Sequence, residues 1–176
     1  MNKKNGLKNY VMAVILVIVA VLIDQYTKYL AVTHLKDGSA FVLIDNVFEL
    51  NYLENRGAAF GLLQNRQIFF VCVAILIFAF ILYCYVRIPK TGRYLPLRLC
   101  GIFIVAGAAG NLIDRIRLGY VVDFFYFRLI DFPVFNVADI YVTVSFAVLL
   151  ILIFFRYKEE ELEFLGRKKG TGTDGK

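Results

Sequence analysis

The sequence has little of what soluble enzymes use for nucleophilic catalysis or metal binding. Its 176 residues include one histidine, His34, so neither a Ser-His-Asp triad nor an HExxH zinc site is supported. The three cysteines, Cys72, Cys84 and Cys100, lie in or beside apolar runs, a placement that fits neither a disulfide framework nor a zinc site. No glycine-rich phosphate loop follows a predicted strand. We therefore expect no metal ion and no cofactor.

Charged residues are also scarce. They make up 19% of the chain, against about 25% in a typical soluble protein. Apolar residues make up 60%, against about 45–50% in soluble domains. A soluble domain of this length cannot bury so much apolar surface, and disorder requires low hydrophobicity. The composition therefore predicts an integral membrane protein.

Four long apolar runs supply candidate transmembrane helices. A spanning helix needs about 20 mainly apolar residues, and three of the four runs reach that length only with a few polar residues at one end. The predicted spans are about 10–32, 68–86, 95–113 and 137–156. They form one membrane domain over residues 1–165, and residues 166–176 are predicted to be a polar, disordered tail.

The distribution of positive charge predicts the orientation of these helices. Of the 20 Lys and Arg residues, 13 lie before the first run, in the second connection or after the fourth run. By the positive-inside rule both termini are cytoplasmic, and the two larger loops lie outside the cell membrane. The net charge of +6 is thus a topology signal, and we expect no nucleic-acid partner.

Both outer loops contain stretches typical of strands. Phe48, Leu50 and Tyr52 alternate with polar residues, which is the pattern of a half-buried strand. Aromatic and β-branched residues fill 120–127 and 131–135 of the second loop. The predicted fold class is an all-α membrane protein with four transmembrane helices and a small β-sheet with loops on the outer membrane surface.

Polar side chains in membrane spans are costly and indicate function by default. In this sequence they gather near the predicted outer ends of the spans and in the outer loops. The set consists of Asp24, Lys28, Asn55, Asn111, Asp114, Arg115, Asp123, Asn136 and Asp139.

Several of these residues have structural explanations. Asp24 and Lys28 are spaced i,i+4 on one helix face, which favours a structural ion pair. Structural pairing is also favoured for Asp114 and Arg115, at the end of the third span. Asn55 satisfies backbone groups at a junction or orients a carboxylate or a substrate amide.

The same two explanations apply to Asn136 at the start of the fourth span. The small residues 106–110 favour close helix packing, and those at 57–59 leave room for a ligand.

Asp123 and Asp139 stand apart because neither has a basic residue within three positions. An apolar setting raises the pKa of a carboxyl group, and two neighbouring carboxyls share one proton. Such a dyad supplies a base for water and an acid for the leaving amine. Asp131 is a rival partner in the dyad, and a proton-relay or packing role for these aspartates stays open.

Five motifs follow one another along the chain. They are Asp24-x-x-Thr27-Lys28, Asn55-x-Gly57-Ala58-Ala59-Phe60, Gly110-Asn111-x-x-Asp114-Arg115, Val122-Asp123-Phe124 and Phe132-Pro133-x-Phe135-Asn136-x-Ala138-Asp139. In this order they closely resemble the lipoprotein signal peptidases, the bacterial type II signal peptidases. The resemblance covers about residues 24–139, in a chain of the family's size.

The resemblance implies a membrane aspartic endopeptidase that cleaves a prolipoprotein just before a diacylglyceryl-modified cysteine. It implies that Asp123 and Asp139 are the catalytic pair and that the cyclic peptide globomycin is an inhibitor. The expected partners are the lipid-modified prolipoprotein and membrane lipid, and we expect a monomer. The residues expected to bind substrate or to orient the dyad are Asp24, Lys28, Asn55, Gly57, Asn111, Asp114, Arg115, Asn136 and Ala138.

Two other functions remain open from the residues alone. A proton-coupled carrier would use the same acidic residues as a relay, although carriers commonly contain repeats that this chain lacks. A non-catalytic subunit of a membrane assembly would bind precursor without cleaving it.

Overall fold

The computed structural model describes residues 3–57 and 66–166, and within these it has four helices long and apolar enough to cross a membrane. This confirms the predicted membrane fold. A fifth helix, α5, is a short segment near the end of the described chain. The helices are α1 (Lys3–Leu35), α2 (Gln67–Arg87), α3 (Leu95–Leu118), α4 (Val137–Ile151) and α5 (Glu159–Leu162), and a π-helical turn at Leu152–Arg156 extends α4.

The helix α3 is the centre of the bundle and packs against α1, α2 and α4. Apolar side chains on the outer faces of the bundle are left exposed; Leu22, Leu76 and Phe154 are 62%, 68% and 73% accessible. Such surfaces are stable in hydrocarbon, where lipid tails replace water. The lateral faces of the bundle are therefore the lipid-facing surface.

Small residues allow α4 to approach α3 closely. A Cβ atom at Gly107 would overlap the backbone carbonyl of Ala138, and one at Gly110 would overlap the Asp24 carboxylate. Lipid tails are as apolar as the side chains of the helices, so the hydrophobic effect does not drive helices together in a membrane. Helix association there depends on such close packing contacts. The packing role predicted for residues 106–110 agrees with this geometry.

A three-stranded antiparallel sheet lies at one end of the bundle. Its strands, in the spatial order β1-β2-β3, are β1 (Phe41–Ile44), β2 (Phe48–Asn55) and β3 (Val121–Tyr126). The turn between β1 and β2 contains Asn46 in the left-handed region, with φ of 54°. The sheet packs on α1 and α3 and holds β3 against the helix ends.

Two details of the sheet differ from the expectation. Glu49, expected on the polar side of a half-buried strand, is only 6% exposed and accepts a hydrogen bond from Arg128. The stretch 131–135 makes a single bridge, Phe135 to Phe125, and Asp131 at its start adopts a left-handed conformation with φ of 47°. Residues 58–65, and 167–176 of the predicted tail, lie outside the described residues.

Consecutive spanning helices are antiparallel, so the far end of the bundle contains the α2–α3 connection and α5. Arg93 in that connection pairs with Glu161 of α5 at 3.0 Å. The rings of Tyr94 and Tyr157 stack with centroids 5.5 Å apart. The described chain thus begins and ends at the end of the bundle opposite the sheet.

Candidate active site

The two predicted dyad aspartates line one cleft at the sheet end of the bundle. The cleft has a volume of about 490 Å³ and is bordered by β3, α3, α4 and the segment 132–135. Asp123 enters it from β3 and Asp139 from the first turn of α4. Apolar side chains such as Phe132, Pro133 and Val144 form much of its wall.

Asp123 lies on β3 inside the protein and is 1% exposed. The neighbouring strand β2 brings Asn55 beside it, and the Asn55 side-chain amide donates to Oδ2 of Asp123 at 2.9 Å. Burial and the nearby Asp139 raise the pKa of Asp123 to about 7, against the opposing effect of its hydrogen bonds. Asp123 can therefore hold a proton at neutral pH.

Asp139 is the third residue of α4 and forms a capping box with Asn136. Its Oδ2 accepts from the Asn136 backbone N–H at 3.1 Å, and its own N–H donates to Asn136 Oδ1 at 3.0 Å. Oδ1 of Asp139 accepts from the side-chain amide of Asn111 at 2.8 Å. Asp139 is half-buried, so its carboxylate is fixed in position and still reaches the cleft.

Asn136 links the two aspartates and is fully buried. Because its side-chain oxygen caps α4, its amide nitrogen must point the other way, where it donates to Oδ1 of Asp123 at 2.6 Å. Asn136 therefore both satisfies the helix end and orients a carboxylate, which are the two roles considered from the sequence.

Asn111 is oriented in a similar way by Lys28. The lysine has only donors, so the Asn111 oxygen faces Lys28 Nζ at 2.9 Å and the amide faces Asp139. Lys28 is held in turn by Asp24 at 2.9 Å and Asp114 at 3.0 Å. A buried ion cluster thus supports one side of the cleft.

The cluster extends further than the motifs indicated. Gln25 donates to Oδ1 of Asp114 at 2.9 Å and to Oδ2 of Asp24 at 3.2 Å, a role that the sequence analysis missed. Asp24 also accepts from the Ala138 backbone N–H at 2.9 Å, and Asp114 accepts from the Val122 N–H at 3.2 Å. These bonds tie α1 and α3 to the elements that present both aspartates.

The structure differs most from the sequence-based expectation at Arg115, for which structural pairing was favoured. Neighbouring helix residues point in different directions, so Asp114 turns to Lys28 while Arg115 turns to the cleft. The Arg115 guanidinium donates to the Gly57 carbonyl at 3.2 Å and lies 4.4 Å from the centre of the Phe70 ring. Within residues 3–57 and 66–166, Arg115 forms no ion pair with a carboxylate.

The remaining predicted residues also have clear positions. Gly57 donates from its N–H to Oδ1 of Asn55 at 3.0 Å, which fixes the amide that faces Asp123. Asp131, the rival partner, is exposed and accepts from Tyr126 at 2.7 Å outside the cleft. Residues 58–60 of the second motif lie outside the described residues.

In the part of the chain that the structure describes, no group of three His, Cys, Asp or Glu side chains has the arrangement of a metal site. What the cleft offers is a protonatable, buried carboxyl, a second fixed carboxylate and a cation without a carboxylate partner in the described segments. Such a set can activate water and polarise a carbonyl group.

Comparison with known proteins gives one consistent result. The family model for signal peptidase II matches residues 16–155. A lipoprotein signal peptidase of Caldanaerobacter subterraneus is 42% identical over 82% of this chain and 97% of the relative, and one of Clostridioides difficile is 47% identical over 81% and 94%. A bacterial membrane enzyme solved in meso at 2.3 Å resolution superposes with a TM-score of 0.72, at 31% identity, over 81% of this chain and 87% of that one.

Proposed function

Because this chain belongs to the signal peptidase II family, we propose that it is an aspartic endopeptidase that removes signal peptides from lipid-modified prolipoproteins. Cleavage occurs just before the diacylglyceryl-modified cysteine. The observation that carries the proposal is the pair Asp123 and Asp139, which line one cleft and are held by a shared asparagine, Asn136.

The two aspartates take different roles because their environments differ. Asp123 is the more deeply buried, and its pKa of about 7 favours the protonated form, the acid that polarises the scissile carbonyl. Asp139 lies in the first turn of α4, where the helix dipole stabilises a negative charge, and acts as the base.

The reaction then runs without a covalent bond between the enzyme and the substrate. Water between the aspartates gives a proton to Asp139 while its oxygen attacks the scissile carbonyl carbon. Asp123 gives its proton to the carbonyl oxygen, which produces a gem-diol. Asp139 then protonates the leaving amine, the C–N bond breaks, and the gem-diol returns a proton to Asp123.

The substrate occupies the cleft with its lipid towards the bilayer. A groove of about 240 Å³ between α2, α3 and α4 shares Phe70, Arg115 and Asp139 with the cleft, and its other walls include Val73 and Val142. The acyl chains fix the modified cysteine at the depth of the aspartates. Arg115 binds a backbone or ester carbonyl, and globomycin occupies the same cleft.

The enzyme works as a monomer with the cleft at the outer membrane surface and both termini in the cytoplasm. Arg87, Lys90 and Arg93 lie at the end opposite the cleft, in agreement with the positive-inside rule. A cysteine introduced at Ser39 should react with a membrane-impermeant thiol reagent in intact cells. One at Gly92 should react only after lysis, and the reverse pattern would invert the topology.

The decisive experiment is cleavage of a purified lipidated precursor in detergent or vesicles. Wild-type protein should release the signal peptide and should be blocked by globomycin, and a non-lipidated precursor should stay intact. Asp123→Asn and Asp139→Asn should each lose activity, whereas Asp131→Asn should retain it. Solute flux from vesicles without proteolysis, or near-normal turnover by either cleft variant, would overturn the proposal.

A further inference from the structure

A lipid-facing groove runs between α1 and α2 in the half of the bundle away from the cleft. Both helices pack on α3 but hardly touch each other. The space between them has a volume of about 360 Å³ and apolar walls that include Val14, Ile18 and Leu82. Val14 is 58% and Leu82 63% exposed, so the groove is open to the acyl chains of the bilayer.

The Lys90 side chain lies at the end of this groove that is nearest the α2–α3 connection. Tyr10 and Tyr85 line that end with ring centroids 6.0 Å apart. The Lys90 ammonium lies 4.8 Å from the Tyr10 centroid and 4.3 Å from the Tyr85 centroid, and it donates to the Tyr85 carbonyl. An ammonium group has three donors, so two remain for another ligand.

Arg98 adds a second positive charge beside Lys90. It is 6% exposed and donates to the Thr91 carbonyl at 3.2 Å, but its buried Nε has no acceptor in the described parts of the chain. Burial, and then the charge of Arg98, lower the pKa of Lys90. Two neighbouring cations, one of them buried, are costly without an anion.

The other cations of this connection are already accounted for. Arg93 pairs with Glu161 at 3.0 Å, and the Arg87 guanidinium lies 4.2 Å from the centre of the Tyr83 ring, outside the groove. By contrast, no carboxylate lies within 4.0 Å of Lys90 or Arg98 among residues 3–57 and 66–166. The uncompensated charge is therefore local to the end of the groove.

We propose that this groove binds one anionic phospholipid, with its phosphate held by the Lys90 ammonium beside the Arg98 charge and an acyl chain between α1 and α2. A phosphate joined to an acyl chain matches both features of the site, a cation pair at the end of an apolar groove. A neutral lipid leaves the cations without an anion, and inorganic phosphate leaves the groove unfilled. The bound lipid fills the gap between two helices that scarcely contact each other.

Native mass spectrometry of the full chain in detergent tests this site directly. Equal amounts of phosphatidylglycerol and phosphatidylcholine with identical acyl chains are offered, and we expect phosphatidylglycerol to be retained about fivefold more than phosphatidylcholine. Lys90→Gln should abolish this preference, and Lys90→Arg should restore it. Arg87→Gln removes the same charge outside the groove and should leave the preference unchanged.

A second pair of variants tests the acyl-chain contact. Val14→Trp fills the groove and should reduce retention of both lipids, whereas Val11→Trp, on an exposed part of the same helix, should not. Inorganic phosphate at the lipid concentration should not displace phosphatidylglycerol. Equal retention of both lipids by wild type, equal loss in Arg87→Gln and Lys90→Gln, or retention unaffected by Val14→Trp would each overturn the proposal.

Discussion

Asn136 donates a 2.6 Å hydrogen bond from its side-chain amide to Oδ1 of Asp123. The same side chain caps α4 through its oxygen, which accepts from the Asp139 N–H. The amide cannot turn over without losing the cap, so the end of a helix fixes the direction of a donor at the proposed active site. Helix stability and the orientation of Asp123 are thus coupled through one residue.

The two roles of Asn136 can be separated by substitution. Serine is about as good an N-cap as asparagine, but its shorter side chain has no amide to reach Asp123. Asn136→Ser should therefore lower kcat/KM at least tenfold with little loss of helix capping. Asn136→Ala should lose activity and a further ~1 kcal/mol of unfolding free energy. Cleavage assays and thermal unfolding in detergent measure both, and equal stability of the two variants would contradict the capping role.

The raised pKa of Asp123 predicts a pH dependence of cleavage. Below its pKa of about 7 Asp123 is protonated and can act as the acid, and above it the proton is lost. Activity should therefore fall as pH rises through this value, with a slope of about tenfold per pH unit if one group is responsible. In the pH profile of kcat, the midpoint of the basic limb gives the pKa of this group in the enzyme–substrate complex.

A matched variant identifies the group behind this limb. The hydrogen bond from Asn55 lowers the pKa of Asp123 by stabilising its ionised form. Removing it in Asn55→Ala should move the basic limb to higher pH, even if overall activity falls. A limb that stays in place or moves to lower pH would show that another group titrates.

Some of this site follows from sequence spacing and some does not. The i,i+4 spacing of Asp24 and Lys28 predicts an ion pair, and the pair is present at 2.9 Å. Asp114 shares the same lysine, and Gln25 bridges the two acids. Both contacts depend on how α1 packs on α3, which sequence spacing does not report. Sequence adjacency pointed to a pairing role for Arg115, whereas helix geometry directs its side chain into the cleft.

The sheet shows the same limit. The alternation of Phe48, Leu50 and Tyr52 predicts β2, which extends over Phe48–Asn55. The strand β1 was not predicted, because Phe41–Ile44 is a short continuous apolar run without alternation and all four residues are exposed. Periodicity reports a strand with one buried face, and β1 has none.

The packing of α3 predicts different effects for two similar glycine substitutions. A Cβ at Gly107 would overlap the Ala138 carbonyl, so Gly107→Ala should destabilise the protein by about 1–3 kcal/mol through overpacking. At Gly101, the nearest atom is a flexible Ile81 methyl at 3.4 Å. Gly101→Ala should be neutral or stabilising, because alanine favours a helix by about 1 kcal/mol over glycine. Thermal unfolding in detergent should rank the variants in this order.

The buried cation Lys28 is expected to be essential for both stability and activity. Lys28→Met leaves Asp24 and Asp114 as neighbouring buried acids without a counter-charge, which should cost about 3–5 kcal/mol. It also removes the donor that fixes the Asn111 amide towards Asp139, so cleavage should fall even at temperatures where the variant stays folded.

The same substitution at Lys36 is the matched control. Lys36 pairs with Glu54 at 3.3 Å, but its side chain is 42% exposed, and such surface pairs contribute about 0–1 kcal/mol. Lys36→Met should therefore unfold close to the wild-type temperature and cleave precursor at a similar rate. If both variants lost the same stability, the difference between a buried cluster and a surface pair would not explain the effect. If Lys28→Met kept full activity, the Asn111 amide would be oriented by its other partners alone.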